Sequence, residues 1–122
     1  MALKLLVDTN IIIYHANGDQ TLSNYLDKNH IHVSVFSEME LLSYSKITVQ
    51  EEILLKEYLN AVTIIGFTDQ LKNRAIELRR KFNLKLLDAI IAATSLEYGY
   101  TFFTADEDFR KIDNFDFVLY KR

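Results

Sequence analysis

Carboxylates fall at awkward places in the apolar pattern of this chain. Asp8 interrupts LLVDTNIII, and Asp88 lies inside LLDAIIAATSL. Glu38 and Glu40 follow the segment IHVSV, and Asp106 and Asp108 follow TFF. Brought together, such groups would repel one another, and each is costly to desolvate. A fold that gathers them normally supplies a cation. Oxygen ligands with no cysteine in the chain and no organised histidine set suit Mg2+ or Mn2+ better than zinc. Such an ion activates water and neutralises charge developing on a phosphate under in-line attack. These residue types therefore point to metal-assisted hydrolysis of a phosphodiester.

Whether the acids meet depends on the elements that carry them. Residues 3–7 (LKLLV) predict a short buried strand turning into helix at about 10–15. Further strands are expected at 31–35, at 61–65 ending on Gly66, at 101–103, and in FVLY near the C-terminus. Ser37, Thr48 and Thr104 each precede a glutamate by three positions, the spacing of a capping box. The second of these should open a helix running through about Leu59. Thr68 should cap another, with Leu71, Ala75, Leu78 and Phe82 on its apolar side. Residues 86–98 predict an almost wholly apolar helix closed by Gly99. Strands alternating with helices imply a parallel sheet covered on both faces, in an α/β domain. Sites in that class form outside the carboxyl ends of the strands, which is where several of these acids fall.

Each acid has a plainer role open to it. Asp8 can simply cap the helix that follows. Glu40 can be the reciprocal capping-box partner of Ser37, and Glu107 that of Thr104. Asp88 can serve a helix dipole, although an acid in so apolar a segment needs a partner more than a surface acid does. Asp106 and Asp108 can form a solvated turn. On a helix starting at Ser37, Glu38 and Glu40 differ by about 200° around the axis, so both cannot face one ion equally. His30 and His32 share one face of a strand and His15 stands alone; with no third matching ligand they read as edge or surface histidines.

The 122 residues suffice for one domain with a sizeable core. The longest apolar runs are far short of the ~20 residues needed to cross a bilayer, and no basic segment precedes a long apolar one. A cytoplasmic protein without membrane contact is expected. The formal charge of −3 excludes a uniformly basic surface, yet six of the 14 Lys and Arg crowd into residues 72–85. These are Lys72, Arg74, Arg79, Arg80, Lys81 and Lys85. Such a helix face usually just solvates; it can also steer a phosphate backbone.

In order along the chain, VDTNIII, SVFSEMELLSY, LKLLDAIIAATSL and FFTADEDF resemble the four acidic motifs of PIN-domain proteins. The closer resemblance is to VapC-type toxins, small ribonucleases of bacterial type II toxin–antitoxin pairs. It spans nearly the whole chain and implies one PIN-like domain over residues 1–122, a central parallel β-sheet flanked by helices on both faces. It implies an Mg2+-dependent endoribonuclease, with Mn2+ able to substitute, a homodimer, and a cognate antitoxin that occupies or distorts the site. Asp8 and Asp88 would be the principal metal ligands, joined by Glu40, Asp106 and Asp108. Glu40 matches the glutamate of the hydroxyl-x-x-Glu-Leu motif, with Ser37 standing where threonine is common. Asn10 and Thr104 match polar residues that line the site. Leu87 stands where proline often precedes the aspartate, and Ala105 where asparagine or arginine is common. Neither departure removes a carboxylate; altered helix entry or substrate contacts are expected instead of lost activity.

Two other classes compete. A phosphorylatable receiver-like domain needs an acceptor aspartate ending its middle strand, whereas the third strand here ends Ile64-Ile65-Gly66. A catalytically silent binding module would keep the fold without needing the acids, and the chain retains them.

Overall fold

In the computed structural model, which describes residues 2–121, the strand β1 (Lys4–Val7) sets the pattern for the rest. Leu5, Leu6 and Val7 are all buried, although successive side chains point to opposite faces. Such a strand needs cover on both sides. On one side α1 (Thr9–Ala16), α2 (Gln20–Leu26), α3 (Val35–Leu42) and α4 (Val49–Asn60) supply it. They lay Ile11, Ile12, Leu22, Leu26, Leu41 and Leu59 against Leu5, Val7 and Val33. On the other side, α5 (Asp69–Phe82) and α6 (Leu86–Tyr98) press Ala75, Leu78 and Ala92 toward Leu6 and Phe102. Burying a leucine or phenylalanine fully contributes about 2 kcal/mol, so these two layers hold the sheet.

The strands are β1, β2 (His30–Ser34), β3 (Thr63–Ile65), β4 (Thr101–Thr104) and β5 (Phe117–Leu119). Their order is β3-β2-β1-β4-β5, and every pairing is parallel. From β1 the chain builds outward to β3, then returns to lay β4 on the other side of β1. The strand order therefore reverses at the β1–β4 junction, which opens a crevice at the carboxyl ends of these two strands. Asp8 leaves β1 at that crevice, and residues 105–108 leave β4 there.

Helix α6 shows how an apolar helix survives with polar residues in it. Residues Ala89 through Ser95 are all buried. Thr94 Oγ1 donates to the Ile90 carbonyl at 2.8 Å, and Ser95 Oγ to the Tyr100 carbonyl at 2.6 Å, so neither hydroxyl is left unpaired. Gly99 ends the helix at φ +69°, a left-handed conformation that glycine adopts without a Cβ penalty.

Several local expectations give way. β2 ends at Ser34, and α3 begins at Val35 with Ser34 as its cap, its hydroxyl accepting from the Phe36 amide at 3.2 Å. Ser37 consequently lies inside the helix and is no cap, because an earlier hydroxyl already serves the first turn. Thr104 closes β4 and starts no helix; Asp106 caps the 3-10 turn Glu107–Lys111. Glu107 pairs with Lys121 at 2.9 Å, not with Thr104. The box at Thr48 and Glu51 forms in full. β3 starts at Thr63, two residues later than expected. Helix α2, capped by Asp19, falls where no element was expected. Of the histidines, His30 is exposed, whereas His32 is buried against Tyr100 with its rings stacked 4.2 Å apart. His15 bridges Tyr58 at 2.8 Å and Asp27 at 2.9 Å, tying α1, α4 and the end of α2.

Candidate active site

The turn after β1 does two jobs with one side chain. Asp8 caps α1, its Oδ1 accepting from the Ile11 amide at 3.1 Å. Its Oδ2 accepts from the hydroxyl of Thr104, the last residue of β4. The cap role and a place in the crevice are thus compatible, because the N-terminus of α1 opens onto the crevice. Thr104 also accepts from the Asp106 amide at 3.0 Å, so a single buried hydroxyl links two acids.

Asp8, Thr9, Asn10, Glu40, Leu87, Asp88, Ile91, Asp106 and Phe109 line one cleft of about 140 Å3. Four of the expected acids therefore meet, together with Asn10. Glu40, not Glu38, is on this wall. Its Oε1 accepts from Thr9 Oγ1 at 2.7 Å. Thr9 escaped the sequence reading; the only local hint is its place directly after Asp8, at the first position of the helix. Asp108 stands beside the cleft. Asp88, Asp106 and Asp108 each offer a carboxylate oxygen, and these oxygens lie within 4.8 Å of one another.

The electrostatics follow from that crowding. Burial, above all, pushes the Asp8 carboxyl upward, and the charge of Asp106 adds to it; hydrogen bonds from Thr104, Ile11 and Ala105 pull the other way. Asp88 is also raised, first by desolvation, then by the charge of Asp106, with Asp108 and Asp8 adding to it and Lys85 opposing. Anions held together in this way are relieved by a dication. The donor set fits one: the Asp88–Asp106–Asp108 group is all carboxylate, the oxygen donor type that hard divalent cations take.

The basic residues are less uniform than their spacing suggests. Arg74 pairs with Glu97 at 3.0 Å, and Arg79 donates to the Leu84 carbonyl at 3.2 Å. Lys81 sits over the Phe82 ring. Arg80 is exposed, and Lys85, the residue capping α6, acts on Asp88 directly.

Beside the cleft runs an apolar groove of about 300 Å3 between α1, α3 and α4. Ile13, Leu41, Tyr44, Ile47, Leu54 and Leu55 line it, and Thr9 and Glu40 belong to both groove and cleft.

Comparison with known proteins agrees with the fold. The sequence model of the PIN domain matches residues 5–114. A chain of a toxin–antitoxin complex from Klebsiella pneumoniae is similar at 28% identity and a TM-score of 0.80, over 93% of this chain and 95% of that one. A chain of VapBC2 from Rickettsia felis, bound to a DNA fragment from their promoter, shares the fold at 24% identity and a TM-score of 0.85, over 98% and 100% of the two chains. A chain of VapBC-5 from Mycobacterium tuberculosis shares it at 16% identity and a TM-score of 0.70, over 98% of each. No curated protein matches.

Proposed function

The chain belongs to the PIN-domain family, and from that premise we propose that it is a metal-dependent endoribonuclease, the toxin of a toxin–antitoxin pair. The observation that carries this reading is the convergence of Asp8, Glu40, Asp88 and Asp106 on one cleft at the reversal of strand order. Asp8 and Asp88 would be the principal ligands of Mg2+ or Mn2+, joined by Asp106 and Asp108, with Glu40 lining the same cleft. A bound dication supplies charge neutralisation at the phosphate and an acidified water. The protein's own part is to fix the acids beforehand. Thr104 and the Ile11 amide of α1 orient Asp8, and Thr9 orients Glu40. Asn10, exposed at the rim, is available to hydrogen-bond the substrate backbone. Lys85, with Arg80, would draw the polyanion toward the cleft; Arg74, Arg79 and Lys81 would contribute less, each being engaged elsewhere.

The antitoxin is assigned to the apolar groove. Tyr44 is 59% exposed there, and a segment lying in the groove would end against Thr9 and Glu40, at the cleft itself. Partners of this kind are named for the similar chains. The same reading includes a homodimer in the cytoplasm; among the described residues no helix is long and apolar enough to cross a membrane.

The test is RNA cleavage by purified wild type and Asp8→Asn in Mg2+ or Mn2+, with calorimetry of Mn2+ binding. Asp8→Asn is expected to abolish cleavage and keep the fold, since asparagine also caps helices. Equal cleavage by the two proteins would refute the assignment. Absence of both cleavage and metal binding in wild type would instead favour a silent binding module.

A further inference from the structure

A second cleft, of about 370 Å3, adjoins the acidic one and is lined by Tyr14, Ala105, Glu107, Tyr120 and Lys121. Ala105 joins the two: it lies between Thr104, whose hydroxyl donates to the Asp8 carboxylate, and Asp106, which lines the acidic cleft. Tyr14 lies one helical turn beyond Asn10, on the same side of α1. The second cleft is therefore an extension of the first along α1.

Its walls are fixed and aromatic. The Tyr120 hydroxyl donates to the Asp19 carboxylate, at 3.1 and 3.0 Å from its two oxygens, and the ring packs 6.2 Å from Phe103. Tyr14 and Ala105 pack on the same core cluster. The volume lies at the small end of ligand pockets, suited to one nucleoside and too small for a folded segment. Single-stranded RNA is characteristically read by splaying a base onto aromatic side chains. At the rim, Lys121 and Glu107 form a solvent-exposed ion pair. Such pairs are weak, so Lys121 can exchange its partner for a phosphate at little cost.

We propose that this cleft is a nucleobase subsite, in which Tyr14 and Tyr120 receive the base next to the scissile phosphodiester and so set which nucleotide flanks the cut. The assignment rests on the nuclease reading and adds the specificity-determining residues to it.

The experiment compares wild type, Tyr14→Leu, Tyr120→Leu, Tyr14→Phe, Tyr120→Phe and Ala105→Arg on a randomised single-stranded RNA pool in Mn2+, with cut sites read by sequencing. KM and kcat are then measured on the best-cleaved oligonucleotide. The leucine variants are expected to raise KM roughly tenfold, the scale of one lost base stack, and to flatten the preference at the flanking nucleotide, with kcat nearly kept. The phenylalanine variants retain the ring and the preference. Ala105→Arg fills the cleft and behaves like the leucine variants. Thermal melts identify any variant that fails to fold, and the phenylalanine and arginine variants then decide. Binding of a fixed mixed-sequence single-stranded oligonucleotide to Asp8→Asn proteins, by fluorescence anisotropy, separates the two readings. Weaker binding on Tyr→Leu without any wild-type cleavage sinks the nuclease and keeps the base subsite. Cleavage by wild type with unchanged KM and preference in both leucine variants overturns the subsite alone. No cleavage and unchanged affinity overturn both.

Discussion

Thr9 Oγ1 donates to Glu40 Oε1 at 2.7 Å, joining the first residue of α1 to the last turn of α3 across 31 positions of sequence. Glu40 is exposed, so the bond contributes little to folding and acts instead on where the carboxylate points. Thr9→Val keeps the shape and removes the donor. Its melting temperature should stay within about 2 °C of wild type, while RNA cleavage falls roughly tenfold as Glu40 samples other rotamers. Thr9→Ser should restore the rate. Initial rates beside a circular-dichroism melt check this, and a full rate in Thr9→Val would remove Thr9 from the site.

Thr104 ties folding to the site more tightly. It is fully buried, donates to Asp8 and accepts from the Asp106 amide. Thr104→Val leaves two partners unpaired, at a cost of about 1–3 kcal/mol. It also removes one of the bonds that hold the Asp8 carboxyl down. A lower urea midpoint and lower activity are expected together, and Thr104→Ser should recover both. A Thr104→Val protein with the wild-type midpoint would show that the hydroxyl is dispensable.

Elements with a strong local signature are legible in the sequence. LKLLV is a short apolar run whose Leu5, Leu6 and Val7 are all buried, and LLDAIIAATSL is almost wholly apolar, so β1 and α6 declare themselves. Helix α2 does not: among its seven residues only Leu22 and Leu26 are buried, too thin a stripe to stand out. The capping signals fail where two hydroxyls compete, as Ser34 and Ser37 do before α3. In the site, strand ends already point to Asp8 and Asp106. The bonds from Thr104 and Thr9 depend on which strand adjoins β1 and on how α3 sits against α1. No local pattern encodes either relation.

Asp88 gives a pH signature of known sign. Its carboxyl is raised above the ordinary 3.8, mainly by desolvation and the charge of Asp106. Below the unfolded value it is protonated in both states and contributes nothing; above its raised folded value the full destabilisation is present. Metal-free Asp88→Asn should therefore melt higher than wild type at pH 8, and the gap should close as pH falls toward 4. Mg2+ or Mn2+ should raise the wild-type midpoint at pH 8 by mass action, an effect reduced in the variant. Cleavage should drop by about 100-fold or more in Asp88→Asn. A pH-independent gap in paired melts with EDTA and with Mn2+ would contradict the crowding of charge.

Ser37 supplies a test of the helix boundary that orients Glu40. It is buried, and among the described residues its Oγ has no hydrogen-bond partner. An unpaired buried hydroxyl is a liability, so Ser37→Ala should leave stability unchanged or raise it by up to about 1 kcal/mol. Ser34, whose hydroxyl caps α3, should behave oppositely: Ser34→Ala should cost about 1 kcal/mol. Were Ser37 the cap, with Glu40 as its reciprocal partner, the two outcomes would be exchanged and Glu40 would be drawn off Thr9. Urea melts of the two variants decide between these arrangements, and cleavage rates report whether Glu40 has moved.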